Sequence, residues 1–117
     1  MTATFNNEYG QVFIDDIVIA NIACKAAMES YGLVGLAAKN AKDGLYEILG
    51  LENMTKGVRV IPTGLKSINI EIQAIIRFGI RVSMVAQNII EKVKYSVETN
   101  TGLEVSSVDL IIQDIRF

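Results

Sequence analysis

From Ser67 to Phe78 polar and apolar positions alternate. Ile68, Ile70, Ile72, Ala74, Ile76 and Phe78 fall on one side, and Ser67, Asn69, Glu71, Gln73, Ile75 and Arg77 on the other. Side chains of a strand point to opposite faces in turn, so this period of 2 predicts a β-strand with one buried face. At 3.3–3.4 Å per residue such a strand would span on the order of 40 Å, long for a small domain, so strong twist or a bulge within it is expected.

Two other stretches carry the period of a helix. Ile19, Ile22, Ala23, Ala26 and Ala27 recur at helical spacing, with Asn21, Lys25 and Glu29 filling much of the other side. This predicts an amphipathic helix from about Asp16 to Ser30. Asp15 or Asp16 stands where a short carboxylate accepts the free amides of the first turn. Gly32 ends the helix near a position that tolerates positive φ. The second stripe is Val82, Val85, Ile89, Val93 and Val97, widened by Ala86 and Ile90, with Gln87, Asn88, Glu91, Lys92, Lys94 and Glu98 solvated. Ser83 is its expected N-cap, and Thr101-Gly102 its stop.

Shorter apolar runs predict further strands at Tyr9–Phe13, Leu33–Leu36 and Val58–Ile61. Pro62 closes the last of these, with Thr63-Gly64 as the turn. Val105, Val108, Leu110 and Ile112 predict a final strand. From Ala37 to Lys56 the pattern weakens, and a loop with a short helical turn around Asp43–Leu49 is expected. The order is β-α-β-β-β-α-β. Two helices packed on one face of a small, mostly antiparallel or mixed sheet satisfy it most simply, an α+β fold. The 117 residues, without repeat or linker, form a single domain, 1–117.

Composition agrees. Isoleucine occurs 17 times and valine 11 times, both stiff β-branched residues suited to pleated surfaces. Half the chain is hydrophobic, yet no apolar run reaches the roughly 18–20 residues that span a bilayer, and Met1–Gly10 lacks the pattern of a signal peptide. A core-rich domain with no direct membrane insertion is expected, and the single cysteine agrees with a reducing compartment.

The charge balance removes more chemistry than it suggests. Eleven basic against thirteen acidic residues give a net charge of −2, which disfavours a broad electrostatic grip on nucleic acid. Histidine is absent, and with it the commonest general base and zinc ligand. One cysteine builds neither an internal disulfide nor a metal cage. The glycines form no phosphate-cradling motif.

Several local patterns nevertheless align with one family. Gly10-Gln11-Val12-Phe13-Ile14-Asp15-Asp16-Ile17-Val18 resembles its strand-to-helix opening, and Ile19-Ala20-Asn21-Ile22-Ala23 its first-helix core. Glu71 through Gly79, then Val85-Ala86-Gln87-Asn88-Ile89, resembles its long strand, glycine break and second helix. Val93-Lys94-Tyr95-Ser96-Val97-Glu98-Thr99-Asn100-Thr101-Gly102-Leu103-Glu104-Val105 resembles its valine-rich helix and following strand. The family is that of the alkaline shock proteins, associated with the cell-envelope stress response of Gram-positive bacteria, and the resemblance runs from about Tyr9 to Ile115. One departure is the stretch Gly79-Ile80-Arg81-Val82-Ser83-Met84, which lacks the proline usual near the second helix; proline favours a first turn but is not required there. The resemblance implies a small cytoplasmic bacterial protein without catalytic residues, some relatives lying beneath the membrane through a membrane-anchored partner.

The candidate sites are few. Cys24 reads as a small core residue rather than a redox sensor, which would need an exposed thiol in electropositive surroundings. Asp15-Asp16 reads as a helix cap rather than a metal site, because further oxygen ligands do not follow locally. Arg59, Lys66, Arg77 and Arg81 invite comparison with an RNA-binding sheet face, but Phe78 is expected to point the other way and the GxxG loop of a KH-type module is missing. Glu71 and Asp109 would be the only carboxylate pair for an enzyme, and two solvated acids on a sheet are usually no more than that.

The positive clue is a break in pattern. Ile75 on the long strand, and Ile111, Ile115 and Phe117 on the last, fall where polar residues are expected. On neighbouring strands they would form an exposed apolar patch, a mark of protein contact, unless a loop such as Lys39–Lys56 covers them. The expectation is a non-enzymatic cytoplasmic interaction or scaffold protein, linked to envelope stress or homeostasis through the resemblance. It would form a homo-oligomer or bind a protein partner, a membrane-anchored one among the candidates, with no catalytic, cofactor or metal residue. The alternative is an RNA- or ribosome-associated module.

Overall fold

In a computed structural model, the backbone is described for residues 2–39, 46–48 and 51–117, and side chains for 4, 6, 8–37 and 54–117. The chain runs β1 (Thr2–Asn7), β2 (Gly10–Asp15), α1 (Asp16–Met28), β3 (Leu33–Lys39), β4 (Tyr46–Ile48), a 3₁₀ segment (Leu51–Gly57), β5 (Val58–Pro62), β6 (Ser67–Arg77), α2 (Val82–Thr101) and β7 (Glu104–Arg116). The expected order is present, with β1 and β4 added to it. The expected helical turn around Asp43–Leu49 falls partly outside the described residues, and Tyr46–Ile48 within it is a strand paired antiparallel with β3.

The long alternating strand is the centre of the sheet. On one side β6 pairs antiparallel with β5 through Ile68–Ile72 and with β3 through Ala74–Ile76; on the other it pairs parallel with β7 along its whole length. The sheet is therefore mixed and mostly antiparallel. The bulge expected within β6 is found instead in its partners. β3 carries an extra residue between Leu33 and Gly35, and β7 carries one at Ser106 and another at Gln113. Such insertions bend a strand and raise its local twist.

Both helices cover one face. Ile68, Ile70, Ile72 and Ala74 of β6 pack with Val105 and Val108 of β7, with Ile19, Ala23, Ala26 and Ala27 of α1, and with Val85, Ile89, Val93 and Val97 of α2. The alanines let α1 approach closely. Each isoleucine fully removed from water there stabilises the fold by about 1.5–3 kcal/mol before entropy is counted. Cys24 belongs to this core, and burial pushes its thiol up to about 11.

The helix signals act where expected, with one exception. Asp15 Oδ1 accepts the amide of Ile17 at 3.1 Å, the helix-cap role. Gly102 ends α2 at φ +76° with its amide on the Glu98 carbonyl. The expected N-cap Ser83 lies inside α2; Arg81 holds the cap position, and no side chain caps the helix there. Gly32 has φ +91° and sits between α2 and β6: its carbonyl accepts the Arg77 amide, and a Cβ there would stand 2.8 Å from both Ile80 Cδ1 and Val85 Cγ1.

The β1–β2 hairpin stands apart as a two-stranded sheet. The residues read as a strand at Tyr9–Phe13 belong to it, although Tyr9 lies in its turn.

Candidate functional site

The four residues expected to form one apolar patch do not do so. Ile75 is 2% exposed. It lies on the central strand between Gly35 of β3 and Asp114 of β7, at an end of the sheet where Ala37 is also fully buried. Its place on the polar side of the alternation therefore reflects burial of that face within the monomer, and Ile75 is not a surface residue. Ile111 is exposed and pairs with Gln73. The bulge at Gln113 shifts the alternation by one step, so Ile115 pairs with Ile76 and lies on the opposite face from Ile111.

Phe117 instead joins a contact that the alternation does not reveal. β6 and β7 run parallel and finish side by side, joined by a bond from the Phe78 amide to the Arg116 carbonyl at 2.7 Å. Just past the strand ends the ring of Phe117 meets that of Phe78, with centroids 4.4 Å apart and planes inclined by 33°. Alternation alone places Phe78 on the buried face. Instead β6 ends at Arg77 and the chain turns at Gly79 (φ +88°), which leaves the ring 58% exposed. The first turn of α2, three residues past Gly79, carries exposed Val82 and Met84.

Three exposed arginines rim this end. Arg77 and Arg116 are cross-strand partners, and Arg81 precedes α2 with its Nη1 3.6 Å from the Met84 sulfur. Arg116 is paired with Asp114 at 2.6 Å. Apolar side chains inside a charged rim are the ordinary anatomy of a protein contact. Strand-end position is the signal in the sequence that points to Phe78, since alternation assigns faces only while the strand continues.

Arg59 and Arg77 share a side of the alternation, but Arg59 pairs with Glu71, six residues of β6 from Arg77 and about 20 Å along the strand. Arg59 is thus set apart and placed against an acid, whereas Arg77 and Arg116 are neighbours at the far end of the strand pair, with Arg81 a few residues beyond Arg77. Glu71 and Asp109 are cross-strand neighbours, as an enzyme acting through carboxylates would need. They stand on the sheet surface, with Gln73 Nε2 donating to Glu71 Oε1 at 3.4 Å. A cleft of about 330 Å³ between α1 and α2 is lined by Ile22, Lys25, Ala26, Glu29, Ser96 and Asn100, and another of about 290 Å³ lies beside Asp16, Thr55 and Arg59; neither contains the carboxylate pair. Among the described residues no cluster of His, Cys, Asp and Glu is arranged to hold a metal ion, and no helix is long and apolar enough to cross a membrane.

Comparison with known proteins gives a consistent result. The model of the alkaline shock protein 23 family, described as having a cell envelope-related function, matches residues 4–117. The chain is 44% identical over 117 residues to the uncharacterized protein YloU of Bacillus subtilis (strain 168), covering 99% of this chain and 97% of that one. It is 36% identical over 117 residues to the uncharacterized protein Spy1614 of Streptococcus pyogenes serotype M6, covering 99% and 96%. It is 30% identical over 108 residues to the uncharacterized protein YqhY of Bacillus subtilis, covering 92% and 78%. No solved structure gives a significant match.

Proposed function

The chain belongs to the alkaline shock protein 23 family, whose described function is related to the cell envelope, and on that footing we propose that it is a non-enzymatic cytoplasmic scaffold. It acts by holding protein, either further copies of itself or a partner at the envelope, against the apolar end of its sheet. One observation carries the reading: Phe78 and Phe117 stack on each other while 58% and 100% exposed. Two aromatic rings left in water at one place are costly to leave uncovered and supply the anchor residues of a contact. The carboxylate pair supports catalysis less well. Glu71 is half-buried and Asp109 exposed on a sheet face, outside both clefts, so among the described residues no enclosed site shields the pair from water.

The test is complementation. In a host deprived of the protein and challenged with a cell-wall-targeting antibiotic, a chain carrying Phe78→Ser and Phe117→Ser is expected to accumulate normally and fail to restore growth. A chain carrying Glu71→Gln and Asp109→Asn is expected to restore it. Full rescue by the first and none by the second would overturn the reading in favour of carboxylate chemistry.

A further inference from the structure

β7 is a thirteen-residue edge strand, and among the described residues no strand pairs with its outer side. Unpaired edges of this length present a row of free donors and acceptors to any other strand. The Glu104 amide donates to the Lys66 carbonyl and the Arg116 carbonyl accepts from Phe78, so the backbone groups of Glu104 and Arg116 face β6. In a parallel ladder the residues of one strand face the other alternately. Through the register and its two bulges, that alternation turns Ser107, Asp109, Ile111 and Asp114 toward β6. It turns Val105, Val108, Leu110, Ile112 and Ile115 outward. Two hydrogen bonds agree in direction, the Val105 amide donating to Glu98 Oε2 at 3.1 Å and the Ile115 amide to Asp114 Oδ1 at 2.8 Å, neither to β6. These two amides are taken within the monomer, so the backbone pairing across the edge rests on Val108, Leu110 and Ile112. Pro62, which has no amide to give, also pairs with Ile68, whose groups face β7.

The outward positions are symmetric. Val108 and Ile112 lie equally far from Leu110, and so do Val105 and Ile115. We propose that β7 pairs antiparallel with β7 of a second copy across a two-fold axis at Leu110, joining two sheets into one. This rests on the scaffold reading above and names a second copy as one of the partners.

The side chains fit that register. On the helix face Val105 meets Ile115, Val108 meets Ile112, and Leu110 meets itself; Leu110, Ile112 and Ile115 are all incompletely buried in the monomer. On the other face Glu104 meets Arg116, twice by symmetry, and Ser107 meets Gln113. Asp109 against Ile111 is the one mismatched pair. The bulges also match. Ser106 of one strand stands opposite Asp114 of the other, so each strand contributes one extra residue there and the faces remain aligned beyond it. Other registers lose this. A two-fold at Asp109 places like charges opposite each other, and one between two residues sets an apolar face against a polar one.

The experiment is sedimentation equilibrium of the full chain with charge-reversed variants. Glu104→Arg and Arg116→Glu, each alone, are expected to weaken the dimer about three- to thirtyfold, since each spoils two cross-strand pairs; together they restore it toward the wild type. Because both side chains are exposed, folding is not at stake. In a Cys24→Ala background, Leu110→Cys is expected to give a disulfide-linked dimer on mild oxidation, because directly opposed strand residues lie within disulfide reach, whereas Asn88→Cys on the solvated side of α2 is not. A strict monomer at the highest soluble concentration, or a dimer indifferent to the charge reversals and unlinked at Leu110, would overturn the proposal. The scaffold reading falls separately, on the complementation by the Phe78→Ser, Phe117→Ser chain.

Discussion

Phe117 lies against Phe78 at a ring-centroid distance of 4.4 Å, yet it is fully exposed. The contact between the two rings therefore shields only one side of each. An exposed aromatic pair contributes on the order of 0.5–1.5 kcal/mol. Phe117→Ser is expected to lower the free energy of unfolding by about 1 kcal/mol or less, measured by urea denaturation with an unchanged slope. A loss of several kcal/mol would assign the pair to the fold instead of to a contact.

Ile75 and Ile111 should behave in opposite ways. Ile75 is buried on the central strand, so Ile75→Ala is expected to cost about 2–5 kcal/mol in the same denaturation experiment. Ile111 is 36% exposed, and Ile111→Ala should cost less than half as much. Equal costs would contradict the assignment of Ile75 to the interior.

Gly32→Ala tests the junction of α2 with the sheet. The left-handed φ of +91° penalises any Cβ, and this one would press on Ile80 and Val85 at 2.8 Å. The variant is expected to be less stable by about 2 kcal/mol or more, as strain and overpacking add. Gly79→Ala, with a similar φ but nothing within 4 Å, should lose only the conformational part.

Cys24 gives the fold an alkaline limit. Burial holds its thiol protonated up to about 11, against 9.0 as the ordinary value. Above pH 9 the unfolded chain releases this proton and the folded one keeps it. The unfolded state then binds fewer protons, so stability contributed by the neutral buried thiol is lost as pH rises from about 9 to 11. Cys24→Ala is expected to flatten this part of the pH profile of thermal unfolding. A profile unchanged by the substitution would mean that the thiol is not the group responsible.

Periodicity makes much of the fold legible. The row Ile68, Ile70, Ile72 and Ala74, and the stripe Val85, Ile89, Val93 and Val97, are buried as their spacing requires, because long elements repeat the signal several times. β1 escapes the pattern because Thr2–Asn7 carries few apolar residues and pairs only within a separate hairpin. Ser83 misleads as a helix start because an N-terminus needs no side-chain cap when solvent is available, and the serine falls inside the first turn. The apolar patch is half legible. Ile111, Ile115 and Phe117 are exposed, but alternation cannot foresee a bulge such as that at Gln113, nor the covering of Ile75 by structure distant in sequence.

Protein contact at the Phe78–Phe117 end of the sheet is tested most directly by placing a photo-activated cross-linking amino acid at Phe117 in growing cells and identifying the adducts. Discrete protein adducts, to a second copy or to an envelope protein, that disappear when Phe78→Ser is added are the expected result. No adduct at all, or cross-links to RNA in their place, would contradict it.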